Sequence, residues 1–193
     1  MASYVNEIYR KLMHISSAAI PLAYVWLLDR EQLVWILGVA SIVVFVGEVL
    51  RMKIPFFMLL YRKLFGMFVR DEENDSFTAL TFSLIGALLT VFLFEKMVAV
   101  YALLVMALAD SVAALVGLRW GRTPLFDKTV QGTVTFLVIA LILAFATPGI
   151  PRIPAAVAAA VATVVELFPS PLNDNLLVPL TTAVTLTLTH LVI

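Results

Sequence analysis

The stretch ALADSVAALVGLRWGRTPLFDKTVQG, residues 107–132, decides how the rest of the chain is read. It begins inside an apolar run, sets a carboxylate there at Asp110, and leaves through Gly117 and Gly121. A short basic segment follows, with Arg119, Arg122 and Lys128, before apolar sequence resumes at Val130. On a helix, Asp110, Ala114, Gly117 and Gly121 fall at i, i+4, i+7 and i+11 and share one face. That face offers an acid, little bulk, and backbone that another group can approach closely. A carboxylate inside a membrane span is costly and needs a cation, a polar group or water beside it. Glycines and basic side chains a few turns further on suit a phosphate held by backbone N–H groups and cations. An acid for a metal beside a cradle for phosphates reads as a nucleotide site. The competing reading is a small-residue packing face followed by an ordinary positive loop.

Around this stretch the chain has the composition of a membrane protein. Of its 193 residues, 62% are hydrophobic and 13% charged, about half the charge fraction of a soluble domain. Mean hydropathy is +1.04. Net charge is zero, so no global field recruits nucleic acid. Cysteine is absent, which excludes disulfides, thiolate metal sites and cysteine catalysis. Apolar segments recur near 12–28, 33–50, 77–94, 97–118, 130–146, 153–168 and 176–193, each near the ~20 residues a spanning helix needs. The expected fold is therefore all-α: one polytopic membrane bundle over 1–193 with about seven transmembrane helices.

Lysine and arginine counts orient it. Arg10, Lys11, Arg51, Lys53, Arg62, Lys63, Arg70, Arg119, Arg122 and Lys128 share one side, leaving only Arg30, Lys96 and Arg152 of the 13 on the other. The positive-inside rule puts the N-terminus in the cytoplasm and, with seven spans, the C-terminus outside. The loop 51–76 is then cytoplasmic. Its part 54–69 is apolar but split by Arg62 and Lys63, which predicts a helix lying at the interface. The acidic cluster Asp71, Glu72, Glu73 and Asp75 reads as solvated loop.

With that orientation, His14, Glu48, Asp110, Glu166, Asp174 and Asn175 all lie toward the cytoplasmic side. They suggest a shared polar cavity, with Asp110 roughly 13 Å below the inner surface at 1.5 Å per residue. Simpler roles exist for several of them. Glu48 can pair with Arg51 at i+3, His14 can bond a neighbouring helix, and Asp174 can cap the seventh span. Asp110 has no cation within a turn of it in sequence.

Four blocks carry a resemblance. Arg10-Lys11-Leu12-Met13-His14 is similar to an R-K-x-x-H motif, and Glu48-Val49-Leu50-Arg51 with residues 70–73 to E-x-x-R and R-x-x-E. Asp110-Ser111-Val112-Ala113, Gly117, Gly121 and Lys128-Thr129-Val130-Gln131-Gly132 resemble D-x-x-A…G-x-x-x-G…K-K-[ST]-x-E-G. Glu166 with Asp174-Asn175-Leu176-Leu177-Val178-Pro179 resembles E…D-N-x-x-x-P. In this order they resemble the CTP-dependent lipid-alcohol kinases: dolichol kinase, phytol kinase and the CTP-type diacylglycerol kinase. Two positions depart: Gln131 replaces the family's glutamate, and Asp127-Lys128 its paired lysines.

The resemblance implies transfer of the γ-phosphoryl group of CTP to a lipid hydroxyl, with an isoprenoid alcohol the expected acceptor ahead of diacylglycerol. It implies Mg²⁺ or Mn²⁺ held by Asp110, Asp174, Asn175 and Glu166. Arg10, Lys11, Gly117, Arg119, Gly121, Arg122, Lys128, Thr129 and Gly132 would hold the nucleotide. Asp110, His14, Glu48 and Lys128 would serve catalysis, with His14 or Glu48 taking the hydroxyl proton. The lipid would enter from the bilayer. The membrane would be the plasma membrane in a prokaryote, otherwise that of the endoplasmic reticulum or a plastid, with the site facing the cytoplasm. Two other readings stand beside it. The core block also resembles CDP-lipid synthases, whose longer C-terminal acidic motif is missing here. A small cation-coupled transporter would need polar groups continuing into the outer half of the spans.

Overall fold

The computed structural model describes residues 4–66, 76–168, 170 and 172–193, and these are almost entirely helical. The first apolar run does not form one helix. α1 (Tyr4–Ser16) and α2 (Ala19–Trp26) are separated by a turn. There the Ser16 and Ser17 hydroxyls donate to the Met13 and His14 carbonyls, each at 2.6 Å. Such back-bonding competes with the helical ladder. In α1 the polar residues Glu7, Arg10, Lys11 and His14 fall on one face, while Tyr4, Val5, Tyr9, Leu12 and Met13 are exposed elsewhere.

α3 (Arg30–Lys53) starts on a capping box, in which Asp29 accepts from the Gln32 N–H at 2.8 Å and Gln32 accepts from the Asp29 N–H at 3.1 Å. α4 (Pro55–Phe65) opens on a proline in its first turn, where the missing N–H costs nothing. The interfacial segment expected over 54–69 is helical over this part. Arg70 and the acids Asp71, Glu72, Glu73 and Asp75 lie outside the described residues. α5 (Ala79–Leu93) follows.

The centre of the bundle is the continuous helix Lys96–Trp120. It comprises α6 (Lys96–Leu104), a π-helical turn (Val105–Ala109) and α7 (Asp110–Trp120). Ala99, Tyr101, Ala102, Val105, Ala107 and Ala109 are fully buried. After α7 a two-stranded hairpin, β1 (Pro124–Leu125) and β2 (Lys128–Thr129), leads into α8 (Val130–Ala146). α9 (Arg152–Leu167) and α10 (Asp174–Val192) complete the chain.

Small residues govern the packing. Ala155, Ala158, Ala159 and Ala162 on α9 are fully buried, as expected where helices meet without a hydrophobic drive between them. The Tyr101 hydroxyl donates to the carbonyls of Ala140 and Ala155 at 3.2 and 3.1 Å, tying the central helix to α8 and α9. Among the described helices, Arg30–Lys53, Lys96–Trp120 and Asp174–Val192 are long and apolar enough to cross a membrane, and α5 and α8 are shorter apolar helices. The chain is an all-α integral membrane protein. The expected seventh span begins where α10 does, but the first predicted span is the broken α1–α2 pair.

Glu48 has a structural setting. Its carboxylate takes the Arg51 guanidinium at 2.7 Å, the Thr78 N–H at 3.1 Å and the Thr78 hydroxyl. Arg51 also donates to the Ser76 carbonyl at 2.7 Å and lies over the Tyr61 ring. Both charged side chains are buried, and they join α3, α4 and the start of α5. The i+3 pair is thus far more than a surface bridge, because its partners satisfy both charges inside the protein.

The close approach of α5 to α10 gives a direct test of this packing. A Cβ on Gly86 would stand 2.6 Å from the Asn175 carbonyl oxygen, whereas a Cβ on Gly38 meets no described atom within 4 Å. Gly86→Ala is expected to cost roughly 1–3 kcal/mol through overpacking. Gly38→Ala gains about 0.5–1 kcal/mol of helix propensity. Thermal unfolding in detergent should therefore shift in opposite directions for the two variants. Equal shifts would contradict the α5–α10 contact.

Candidate active site

Charged groups from five elements converge at one end of the bundle. Asp110, the first residue of α7, is only 9% exposed, and its carboxylate takes the Lys11 ammonium of α1 at 2.7 Å. His14, one turn along α1, places Nε2 3.1 Å from the Met106 carbonyl and 3.7 Å from the same Asp110 oxygen. A carbonyl only accepts, so Nε2 carries the proton and Nδ1 is the acceptor nitrogen of the neutral ring. Met106 lies in the π turn, so an irregularity of the central helix supplies the anchor for His14 one turn before Asp110.

Lys128 of β2 reaches the other acids. Its ammonium lies 2.6 Å from Glu166 at the end of α9 and 3.3 Å from Asp174 at the start of α10. Burial alone pushes Lys128 toward losing its proton. The charges of Glu166, Asp174 and Asp110 outweigh that and raise its pKa above the ordinary lysine value. The ammonium is therefore a fixed positive charge at physiological pH. The charge of Asp110 is felt at both Glu166 and Asp174, so three carboxylates and two lysines form one electrostatic cluster.

The hairpin that carries Lys128 is held by side chains on either side of it. Gln131 Oε1 accepts the N–H groups of Arg122 and Thr123 at 3.0 and 3.3 Å. Thr129 caps α8 by accepting the Gly132 N–H at 3.1 Å. Gln131, the residue departing from the family's glutamate, thus closes the loop with a group that an amide and a carboxylate supply equally well. The expected glycines surround Thr129. A Cβ would fall 3.1 Å from its Oγ1 at Gly117, 2.9 Å at Gly121 and 3.2 Å at Gly132. Their nearest neighbours are protein atoms, and the packing reading of these glycines describes this geometry.

The remaining expected residues fall around the cluster. Arg10 pairs with Glu7 at 2.7 Å. Arg119 and Arg122 are exposed beside the hairpin. Asn175 donates from Nδ2 to the Ala79 carbonyl at 3.3 Å, linking α10 to α5. The α10 cap is Asn173, whose side chain accepts the Asn175 N–H at 3.0 Å, and this leaves the Asp174 carboxylate for Lys128. The structure joins Glu48 to Arg51 and Thr78 and, among the described residues, by no hydrogen bond or ion pair to Asp110, Lys128, Glu166 or Asp174. The Lys11–Asp110 pair had no signal in local spacing, since 99 residues separate the partners.

The donor set suits a hard cation that shares its coordination with phosphate. Among the described residues, no three His, Asp or Glu side chains form a ready-made metal site. Glu166 Oε2 is, however, buried with no hydrogen-bond partner among the described residues, an orphaned carboxylate oxygen in a cluster rich in others. Mg²⁺ commonly binds through one or two carboxylates plus phosphates rather than in an all-protein cage. The residues present fit that mode.

Comparison with known proteins agrees with this chemistry. Over 125 residues the chain is 29% identical to CTP-dependent diacylglycerol kinase 1 of Schizosaccharomyces pombe, covering 64% of this chain and 57% of that protein. Over 141 residues it is 27% identical to CTP-dependent diacylglycerol kinase 1 of Saccharomyces cerevisiae, covering 71% and 49%. It is also 29% identical over 137 residues to an uncharacterized protein of Rickettsia prowazekii, covering 69% and 67%. The chain spans about half the length of the two named kinases. No family model matches it, and no solved structure matches. The named relatives and the ordered motif blocks point the same way: the chain is similar to the CTP-dependent diacylglycerol kinases.

Proposed function

We propose that the protein transfers the γ-phosphoryl group of CTP to the hydroxyl of a membrane lipid. The observation that carries this reading is the convergence of Lys11 and Lys128 with Asp110, Glu166 and Asp174 at one end of the bundle. Phosphoryl transfer asks little covalent work of a protein; it asks for positioning and for charges that meet the phosphate oxygens. Two ammonium groups held by carboxylates are poised to exchange those carboxylates for phosphate. Diacylglycerol is the acceptor we favour, because the relatives' names specify it. The isoprenoid acceptor rests on the motif resemblance alone. The excess of lysine and arginine beside this end supports a site facing the cytoplasm.

Each residue has a defined task in this reading. The lipid hydroxyl oxygen bonds to the γ-phosphorus as the bond from that phosphorus to the β–γ bridging oxygen breaks, and CDP leaves. His14, with Nε2 held by Met106, accepts the hydroxyl proton at Nδ1. Lys128 and Lys11 hold the phosphates, with Arg122 and Arg119 at the rim. Bound Mg²⁺ or Mn²⁺ would be held by one or two of Asp110, Glu166 and Asp174 together with phosphate oxygens, whose charge it would offset. Glu48, already engaged by Arg51 and Thr78, holds the fold beside the site.

Incubating the purified protein with CTP labelled at the γ-phosphate and a panel of lipid alcohols tests the reading. Label should enter diacylglycerol, with CDP as the second product. Release of pyrophosphate instead would mark a cytidylyltransferase and overturn the kinase assignment. Asp110→Asn should abolish turnover. Because Asp110 is paired with Lys11, the substitution should also destabilise the fold, by about 3–5 kcal/mol for a broken buried pair. A double-mutant cycle with Lys11→Met measures that coupling. Lys128→Ala should lower kcat/KM for CTP at least tenfold, while Lys96→Ala, at the opposite end of the central helix, should leave it unchanged. Equal losses at Lys96 and Lys128 would remove the site from this end of the bundle.

A further inference from the structure

The tip of the hairpin is built against its own backbone preference. Phe126 and Asp127 form the two-residue turn between β1 and β2. Phe126 sits at φ 52°, and it is the only non-glycine residue with positive φ among the described residues. The first central position of such a hairpin favours glycine, and a bulky residue there is strained. The side chain meets Phe168, with ring centroids 5.0 Å apart and planes inclined at 50°. Both rings nevertheless stay largely open, Phe126 at 59% and Phe168 at 49% exposure.

Their place in the fold suggests what they receive. Lys128 is two residues beyond Phe126, and Glu166 is two residues before Phe168. Those two partners form the 2.6 Å ion pair of the cluster, so both rings stand at the rim of the charged site. A nucleotide whose phosphates engage Lys128 carries its base on the attached ribose, within reach of that rim. Resting on the kinase reading above, we propose that Phe126 and Phe168 are the stacking platform for the pyrimidine base of CTP. An aromatic face binds a nucleobase by stacking, without hydrogen-bond readout. A membrane-interface anchor would use the same residue type, but it would not require a strained backbone. Trp120, 60% exposed at the end of α7, supplies an interfacial ring without one.

The strain makes the idea testable, because glycine at position 126 relieves the backbone while deleting the ring. Equilibrium binding of CTP with Mg²⁺ to the detergent-purified full chain should weaken about tenfold in Phe126→Gly and Phe168→Ala. Phe126→Trp should retain it, and Phe126→Leu should not. Phe126→Gly should unfold at the same or a higher temperature than the wild type, which separates lost binding from lost folding. A wild-type protein that binds no CTP would sink the kinase reading itself. A wild type that binds CTP, with Phe126→Gly binding it equally well, would sink the platform alone. Loss of vesicle association with unchanged CTP affinity would make the pair a membrane anchor and overturn the proposal.

Discussion

The constraint on which this structure depends is the cost of holding Asp110 away from water. A carboxylate among apolar helices has to be met by a cation or give up its charge. The chain meets it with Lys11, which arrives from a separate helix through the 2.7 Å ion pair. That single contact explains why α1 lies across the central helix with its polar face inward. Two serines end α1 soon after this contact. The second lysine repeats the pattern from the other side. Lys128 can satisfy Glu166 and Asp174 only if the hairpin projects across the ends of α9 and α10.

The hairpin in turn depends on bulk being absent elsewhere. Gly117, Gly121 and Gly132 surround the Thr129 side chain, so α7 and α8 close on each other at the point where the strand begins. Backbone that was expected to admit phosphate packs against the Thr129 side chain. Gln131 completes the loop through backbone N–H groups. This is why an amide can stand at position 131: the contact asks only for an acceptor.

Much of this was legible in the residues, and what was not has a physical reason. Hydrophobic runs located α3, α5, α8, α9 and α10, because a helix in a bilayer is apolar on its lipid-facing side as well as on its packed side. The first run read as one span because hydropathy averages over the Ser16-Ser17 break. Asp110, Glu166, Asp174 and Lys128 were recognisable as a polar group at one end. The pairing within that group was not, since Lys11 and Asp110 meet only through tertiary folding, 99 residues apart. Glu48 looked like a site residue because acids near membrane depth are rare. Its partner Arg51 was visible at i+3, but Thr78 and Tyr61, which make the pair a buried joint, were not. The capping role suggested for Asp174 belongs to its neighbour Asn173, a difference of one residue that local propensity does not resolve.

The π-helical turn at Val105–Ala109 amounts to one extra residue wound into the central helix. Each residue of an α-helix turns the chain by about 100°, at 3.6 residues per turn. The helix before the turn and the helix after it are therefore out of phase. One phase points Tyr101 at α8 and α9, and the other points Asp110 at Lys11. Winding the same residues as uninterrupted α-helix would rotate everything downstream by roughly a quarter of a revolution. Asp110, the glycines and the hairpin would then face a different set of neighbours, although every side chain of the site was still encoded. The length of this turn is thus as much a determinant of the site as the identity of any residue in it.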